Sequence, residues 1–104
     1  MKRLHLETTD STSRVAWELL ESTEPPLVVT ADVQTAGRGR GSNAWVSTKG
    51  NLFLSLGTSL PAERLHNVSV RIAIAIALQL NELAKDSLVR VKWPNDLMIG
   101  NAKL

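Results

Sequence analysis

The chain has 104 residues, 43% of them apolar and 21% charged. That suits one small soluble globular domain burying roughly two-thirds of its surface. A formal net charge of +2 is too small to argue for nucleic acid as a general partner, so the placement of charge matters more than its total. With no cysteine, disulfides, thiolate nucleophiles and cysteine-based metal sites are excluded, consistent with a reducing cytoplasm.

The start, Met1-Lys2-Arg3-Leu4-His5, is basic but has no apolar run behind it, so no signal peptide is visible. Residues 2–7 read as a short strand. The hydroxyl-rich run Thr8-Thr9-Asp10-Ser11-Thr12-Ser13 precedes Val15, Ala16, Trp17, Leu19 and Leu20. This is the pattern of a helix start, with Asp10 or Ser11 as cap and Trp17 counted with the core. Pro25-Pro26 rules out continuation of that helix. Residues 27–31 form a β-branched central strand.

Residues 33–50 show no sustained period and read as a long loop, a feature that is usually functional or mobile. Residues 51–58 are a further strand candidate, and 61–85 the main helix, with Leu65, Val68, Ile72, Ile76, Leu80 and Leu83 as its apolar positions. From 72 to 78 that helix is apolar on every face, which predicts wide coverage against the sheet. Such a run is far short of the roughly 20 residues that span a bilayer. It predicts core, and no membrane partner.

Residues 88–93 read as a strand stopped by Pro94. A hairpin follows from 97–99 and 102–104 around Gly100-Asn101. The chain ends inside the second arm of that hairpin, so it reads as truncated.

Three constellations carry possible chemistry. Gly37-Arg38-Gly39-Arg40-Gly41 lies in an acid-free stretch between Asp32 and Glu63 that also holds Lys49. Glycines admit positive φ and close backbone approach, and arginine forks grip carboxylates or phosphates. The spacing fits neither a Walker loop nor a dinucleotide fingerprint, and a flexible surface loop is the competing reading. Helix capping alone explains 10–13, the alternative being that Ser11 and Thr12 hydrogen-bond a neutral urea or amide. In Lys92-Trp93-Pro94-Asn95-Asp96 the proline fixes a turn, and Lys103, on the return strand, can point back toward Asp96. Trp45, in a polar loop, needs a ligand or loop closure to bury it.

In this order the motifs resemble the biotin–protein ligases. The matches are Asp10-Ser11-Thr12-Ser13, the stretch from Gln34 through the Gly-Arg loop to Trp45, Lys92-Trp93-Pro94-Asn95-Asp96, and Lys103-Leu104. The resemblance implies an α+β fold, a mixed β-sheet with helices packed on one side, of the class-II-synthetase-like kind. It implies the N-terminal portion of one catalytic domain, without a helix-turn-helix or C-terminal domain, and incompetent or very weak by itself.

The implied reaction joins biotin to ATP with Mg²⁺, giving biotinyl-5′-adenylate, and then passes biotin to a lysine of the biotin carboxyl carrier protein domain of acetyl-CoA carboxylase. By similarity Arg40, Lys103 and Asp96 are catalytic. Ser11, Thr12, Ser13, Gln34, Gly37 and Arg38 bind biotin. Gly37, Arg38, Gly39, Arg40, Trp45 and Lys103 bind the nucleotide, with Trp45 as adenine platform. No residue is assigned as a metal ligand and no DNA binding is expected. The rival readings are a lipoate–protein ligase, a non-catalytic biotin- or adenylate-binding fragment, and an Arg-Gly nucleic-acid binder.

Overall fold

The computed structural model describes residues 1–104, which form two compact units, Met1–Ser59 and Leu60–Leu104. In the first, β1 (Lys2–Thr9), α1 (Thr12–Leu20), β2 (Leu27–Gln34) and β5 (Phe53–Gly57) build a layer of helix on sheet, and β3 (Gly37–Arg38) pairs with β4 (Ala44–Trp45) as a separate ribbon. The sheet runs β1-β2-β5, with β1 and β2 parallel and β2 and β5 antiparallel. It is the mixed sheet that the resemblance implies. A parallel pair needs a crossover, and α1 supplies it.

Period-2 alternation along β2 sends Leu27, Val29 and Ala31 inward. Leu27 and Val29 pack with Ala16 of α1, and Leu6, Val15, Leu19 and Leu20 surround them. The helical stripe 12, 15, 16, 19, 20 has the spacing of one buried face. Trp17 lies off that stripe and is 72% exposed. The expectation that it belongs to the core is therefore wrong: it followed from apolar neighbours, not from the helical period.

The loop expected over 33–50 is also shorter than supposed. Strand β2 carries on through Gln34, and Gly37 and Arg38 pair with Trp45 and Ala44. Two-residue strands leave no periodic signature to read.

In the second unit the helix expected over 61–85 is broken. A 3₁₀ turn, Ala62–Arg64, is followed by α2 (Val68–Ala84), and Asn67 between them takes the left-handed conformation at φ 55°. Lys85, also left-handed, ends α2. The antiparallel sheet β6 (Val89–Lys92), β7 (Asp96–Ile99), β8 (Ala102–Lys103) completes this unit. Gly100-Asn101 is the expected turn, since Ile99 pairs with Ala102 across it.

Only Ala73 and Ala77 of α2 are buried, while Ile72, Ile74, Ile76 and Leu78 are all exposed. Wide coverage of this helix is thus not observed. It packs on β6 and β7, with Ala73 and Ala77 buried and Val70 and Leu80 half-buried. Asn81 clasps the start of β6, donating from Nδ2 to the Val89 carbonyl at 3.0 Å and accepting the Val89 N–H at 2.8 Å.

Because Leu27 is only 1% exposed and sits between α1 and the sheet, truncating it leaves a cavity. Leu27→Ala should cost about 2–5 kcal/mol, read as a lower urea midpoint with an unchanged slope.

Candidate functional site

The hydroxyl-rich turn leads into α1, and each of its residues has a separate task. Ser11 is the cap: its Oγ accepts the Arg14 N–H at 3.3 Å. Asp10 accepts the Ser11 N–H at 2.7 Å and takes Arg14 Nε on both carboxylate oxygens, at 2.9 and 2.7 Å. Arg14 reaches onward to Glu18. The hydrogen bonds from Arg14 first, and then the Ser11 N–H, hold the Asp10 carboxyl at about 2, below its ordinary 3.8. The same pairs push the Arg14 guanidinium up.

Thr12 is not needed for capping, and it is buried. Its main-chain N–H, an orphan donor of the first turn, is accepted by Gln34 Oε1 at 3.0 Å. Its hydroxyl lies 3.3 Å from the same oxygen and 2.9 Å from Ser55 Oγ on β5. Gln34 Nε2 in turn donates to Ser47 Oγ at 3.1 Å. Main-chain bonds from Thr35 to Thr9 (3.0 Å) and Ala36 to Asp10 (2.7 Å) fasten the exit of β2 to the same turn. Of Ser11, Thr12 and Gln34, chosen from the sequence as one group, Thr12 and Gln34 meet directly, while Ser11 caps the helix.

Beyond Gln34 the Gly-Arg segment is a tight hairpin. Gly39 donates to the Asn43 carbonyl at 2.7 Å, and Gly41 takes the turn at φ 66°. Gly37 and Gly39 are not at positive φ, contrary to the role expected for this loop's glycines as a set. Gly37 is glycine for space: a Cβ there would lie 2.6 Å from Ser47 Oγ and 2.7 Å from Gln34 Nε2. Arg38 and Arg40 are exposed. A shallow groove of about 370 Å³ is lined by Gly37, Arg38, Gly41 and Asn43 among others. Trp45 is 45% exposed, its ring beside Gly39.

Ser13 is on the wall of a second groove of about 270 Å³ between α1 and β5 that Trp17 and Ser55 also line. In the second unit the expected pairing is present, with Lys103 Nζ 3.0 Å from Asp96 Oδ1. Lys103 stands opposite Met98, which shares a strand face with Asp96, so the two side chains meet diagonally. Sequence reasoning missed Ser47, Ser55 and Arg14. Only the i,i+4 spacing of Asp10, Arg14 and Glu18 signalled any of these.

A model of the biotin/lipoate A/B protein ligase family matches residues 5–104. The chain belongs to that family. Among its ligase relatives, the bifunctional ligase/repressor BirA of Bacillus spizizenii is 35% identical over 104 residues, 96% of this chain and 32% of that protein. The human biotin–protein ligase is 34% identical over 103 residues, 90% of this chain and 14% of that protein.

Ligase structures show the same fold. The Leishmania major biotin protein ligase in complex with biotinyl-5-AMP superposes with a TM-score of 0.88 at 29% identity, covering 99% of this chain and 49% of that one. The Aquifex aeolicus biotin protein ligase in complex with biotin and ATP gives 0.77 at 27% identity, covering 99% and 44%. The chain thus spans about a third or less of these curated relatives and about half of these solved ligases.

Two outcomes are expected at this site. Asp10 has a folded pKa below its unfolded value, so its contribution to stability is complete above 3.8 and is lost as pH falls through about 2. The melting-temperature gap between wild type and Asp10→Asn should therefore be widest above pH 3.8 and shrink towards pH 2. Gly37→Ala should destabilise the first unit by about 1–3 kcal/mol through overpacking, measured by urea unfolding.

Proposed function

We propose that this chain supplies biotin- and adenylate-binding residues of an ATP-dependent biotin–protein ligase. One observation carries the reading. The Thr12–Gln34 bracket, which presents neutral donors and acceptors, lies at the foot of the arginine-bearing hairpin. A ligand with a urea at one end and an acid at the other suits that combination. The ligands printed for the two solved relatives, biotinyl-5-AMP, biotin and ATP, support it.

In the first step an oxygen of biotin's carboxylate attacks the α-phosphorus of ATP, and the bond to pyrophosphate breaks. Two anions must approach, so cations have to neutralise both. Arg40 and Lys103 are proposed for the carboxylate and α-phosphate. Ser11, Thr12, Ser13, Gln34 and Arg38 serve the biotin end, while the backbone of Gly37 and Gly39 follows the adenylate and Trp45 stacks on adenine. Gly37 being filled by its own neighbours fits a role through its main chain.

In the second step a lysine amine of a biotin carboxyl carrier domain attacks the mixed anhydride carbon. AMP leaves, and the amine gives up a proton. Asp96, bonded to Lys103, is proposed to orient Lys103 or to assist the incoming carrier lysine.

No group of three or more His, Asp or Glu side chains is gathered anywhere. Mg²⁺ is proposed to arrive on the nucleotide's phosphates, whose charge it would neutralise, with Asp96 considered for placing it. No helix is long and apolar enough to cross a membrane, and the chemistry proposed is that of the cytoplasm. The repressor half of the Bacillus relative's name is not carried over to this chain.

The second reading, a lipoate–protein ligase, shares the family, but the chain lacks that group's Arg-Arg-x-x-Gly-Gly-Gly loop. A third is suggested by the share of its relatives that the chain spans: it binds biotin or the adenylate without turnover.

Pyrophosphate exchange into ATP separates these readings. Exchange should depend on biotin and not on lipoate, and Arg40→Ala should lower its rate about 10²–10³-fold. Calorimetric binding of biotinyl-adenylate without exchange would support the binding fragment. Absence of both binding and exchange would overturn the proposal.

A further inference from the structure

We propose that Ser47 is a positioning residue that locks the orientation of the Gln34 amide and fastens it to the Gly-Arg hairpin. The proposal deepens the functional reading above, on which it rests for the identity of the ligand.

A glutamine amide turned end for end exchanges an acceptor for two donors. The hydrogen-bond pattern around Gln34 leaves only one orientation. The Thr12 main-chain N–H can only donate, so the end of the amide facing it at 3.0 Å is oxygen. This turns the nitrogen to Ser47 Oγ, 3.1 Å away. Ser47 must accept that bond, and its own proton goes to the Trp45 carbonyl at 3.4 Å. Every donor in the series then has one direction, from Gln34 to Ser47 to the backbone of β4.

The fold keeps space for this series. The Cβ that any other residue would carry at position 37 falls 2.6 Å from Ser47 Oγ and 2.7 Å from Gln34 Nε2, and 3.0 Å from the Trp45 carbonyl oxygen. All three atoms belong to the same hydrogen-bond series. The first glycine of the Gly-Arg loop is therefore shaped around the Gln34–Ser47 contact.

Gln34 Nε2 carries two protons, of which Ser47 holds one. The other is then aimed in a fixed direction as the donor for a carbonyl oxygen of the urea or amide type. Without the Ser47 hydroxyl, Thr12 alone holds the amide and the plane can swing. Because Ser47 also grips Trp45, a shift of the hairpin reaches the same amide. The recognition end and the anion-holding loop are coupled through one serine.

The test uses the full chain as wild type, Ser47→Ala, Gln34→Ala, the double variant and Ser47→Thr. Biotin is titrated calorimetrically, and the Gln34 side-chain amide resonances and Thr12 amide exchange are followed without ligand. Ser47→Ala should weaken biotin about fivefold, shift the Gln34 side-chain resonances and speed exchange at Thr12 but not at buried Val29. Ser47→Thr should restore all three readouts. On the Gln34→Ala background, loss of Ser47 should have no further effect on binding.

Additive losses, or Gln34 resonances unmoved by Ser47→Ala, would overturn the proposal. If the wild type fails to bind biotin, the functional reading is what fails, and the Gln34 resonances then decide the role of Ser47 by themselves.

Discussion

The site of the first unit depends on one side-chain amide. Gln34 ends β2, the strand that joins β1 to β5, and its oxygen accepts the first free N–H of α1. Removing such a partner would leave a buried donor unsatisfied, which costs more than an ordinary hydrogen bond contributes. The glutamine is thus part of the scaffold before it is part of any ligand site. Its nitrogen then sets where the hairpin returns, through Ser47. Helix start, strand end and loop are fixed relative to each other by a single planar group.

That arrangement explains why a segment rich in glycine and arginine has a definite conformation. Arg38 and Arg40 are exposed and have long side chains, but the backbone bearing them is paired to β4 on one side and crowded by Gln34 and Ser47 at its base. A backbone fixed in this way is already ordered, so it has less conformational freedom left to lose on binding. In the second unit the cation is ordered differently. Lys103 is held by a carboxylate on the neighbouring strand, an arrangement that keeps its nitrogen in place.

The mixed sheet came with the family resemblance, whereas the helix behind the hydroxyl cluster and the Gly-Asn hairpin could be read from residue pattern, because each rests on local chemistry that the sequence displays. So could the Asp96–Lys103 pair, since hairpin register dictates it. The family followed from the order of the motifs along the chain.

What could not be read depended on contacts distant in sequence or on period. Trp17 was misplaced because apolar neighbours were weighed above helical phase. The break at Asn67 is a left-handed residue inside an otherwise helical pattern, and asparagine announces it only weakly. Ser47 and Ser55 are bland residues whose importance lies entirely in what they face across 13 and 43 positions of chain. Of the two reasons the sequence offers for glycine at 37, positive φ does not apply and close approach does, to Ser47 and Gln34.

The three tryptophans, Trp17, Trp45 and Trp93, are 72%, 45% and 69% exposed, and none lies in the core. Indole emission follows the polarity around the ring, so the fluorescence of this chain is a signal from its surface and not from its folded interior. Trp17 borders the α1–β5 groove, Trp45 stands at the hairpin, and Trp93 marks the turn before β7. The molecule therefore carries a built-in optical gauge at each of these places, with Trp45 as the one on the hairpin.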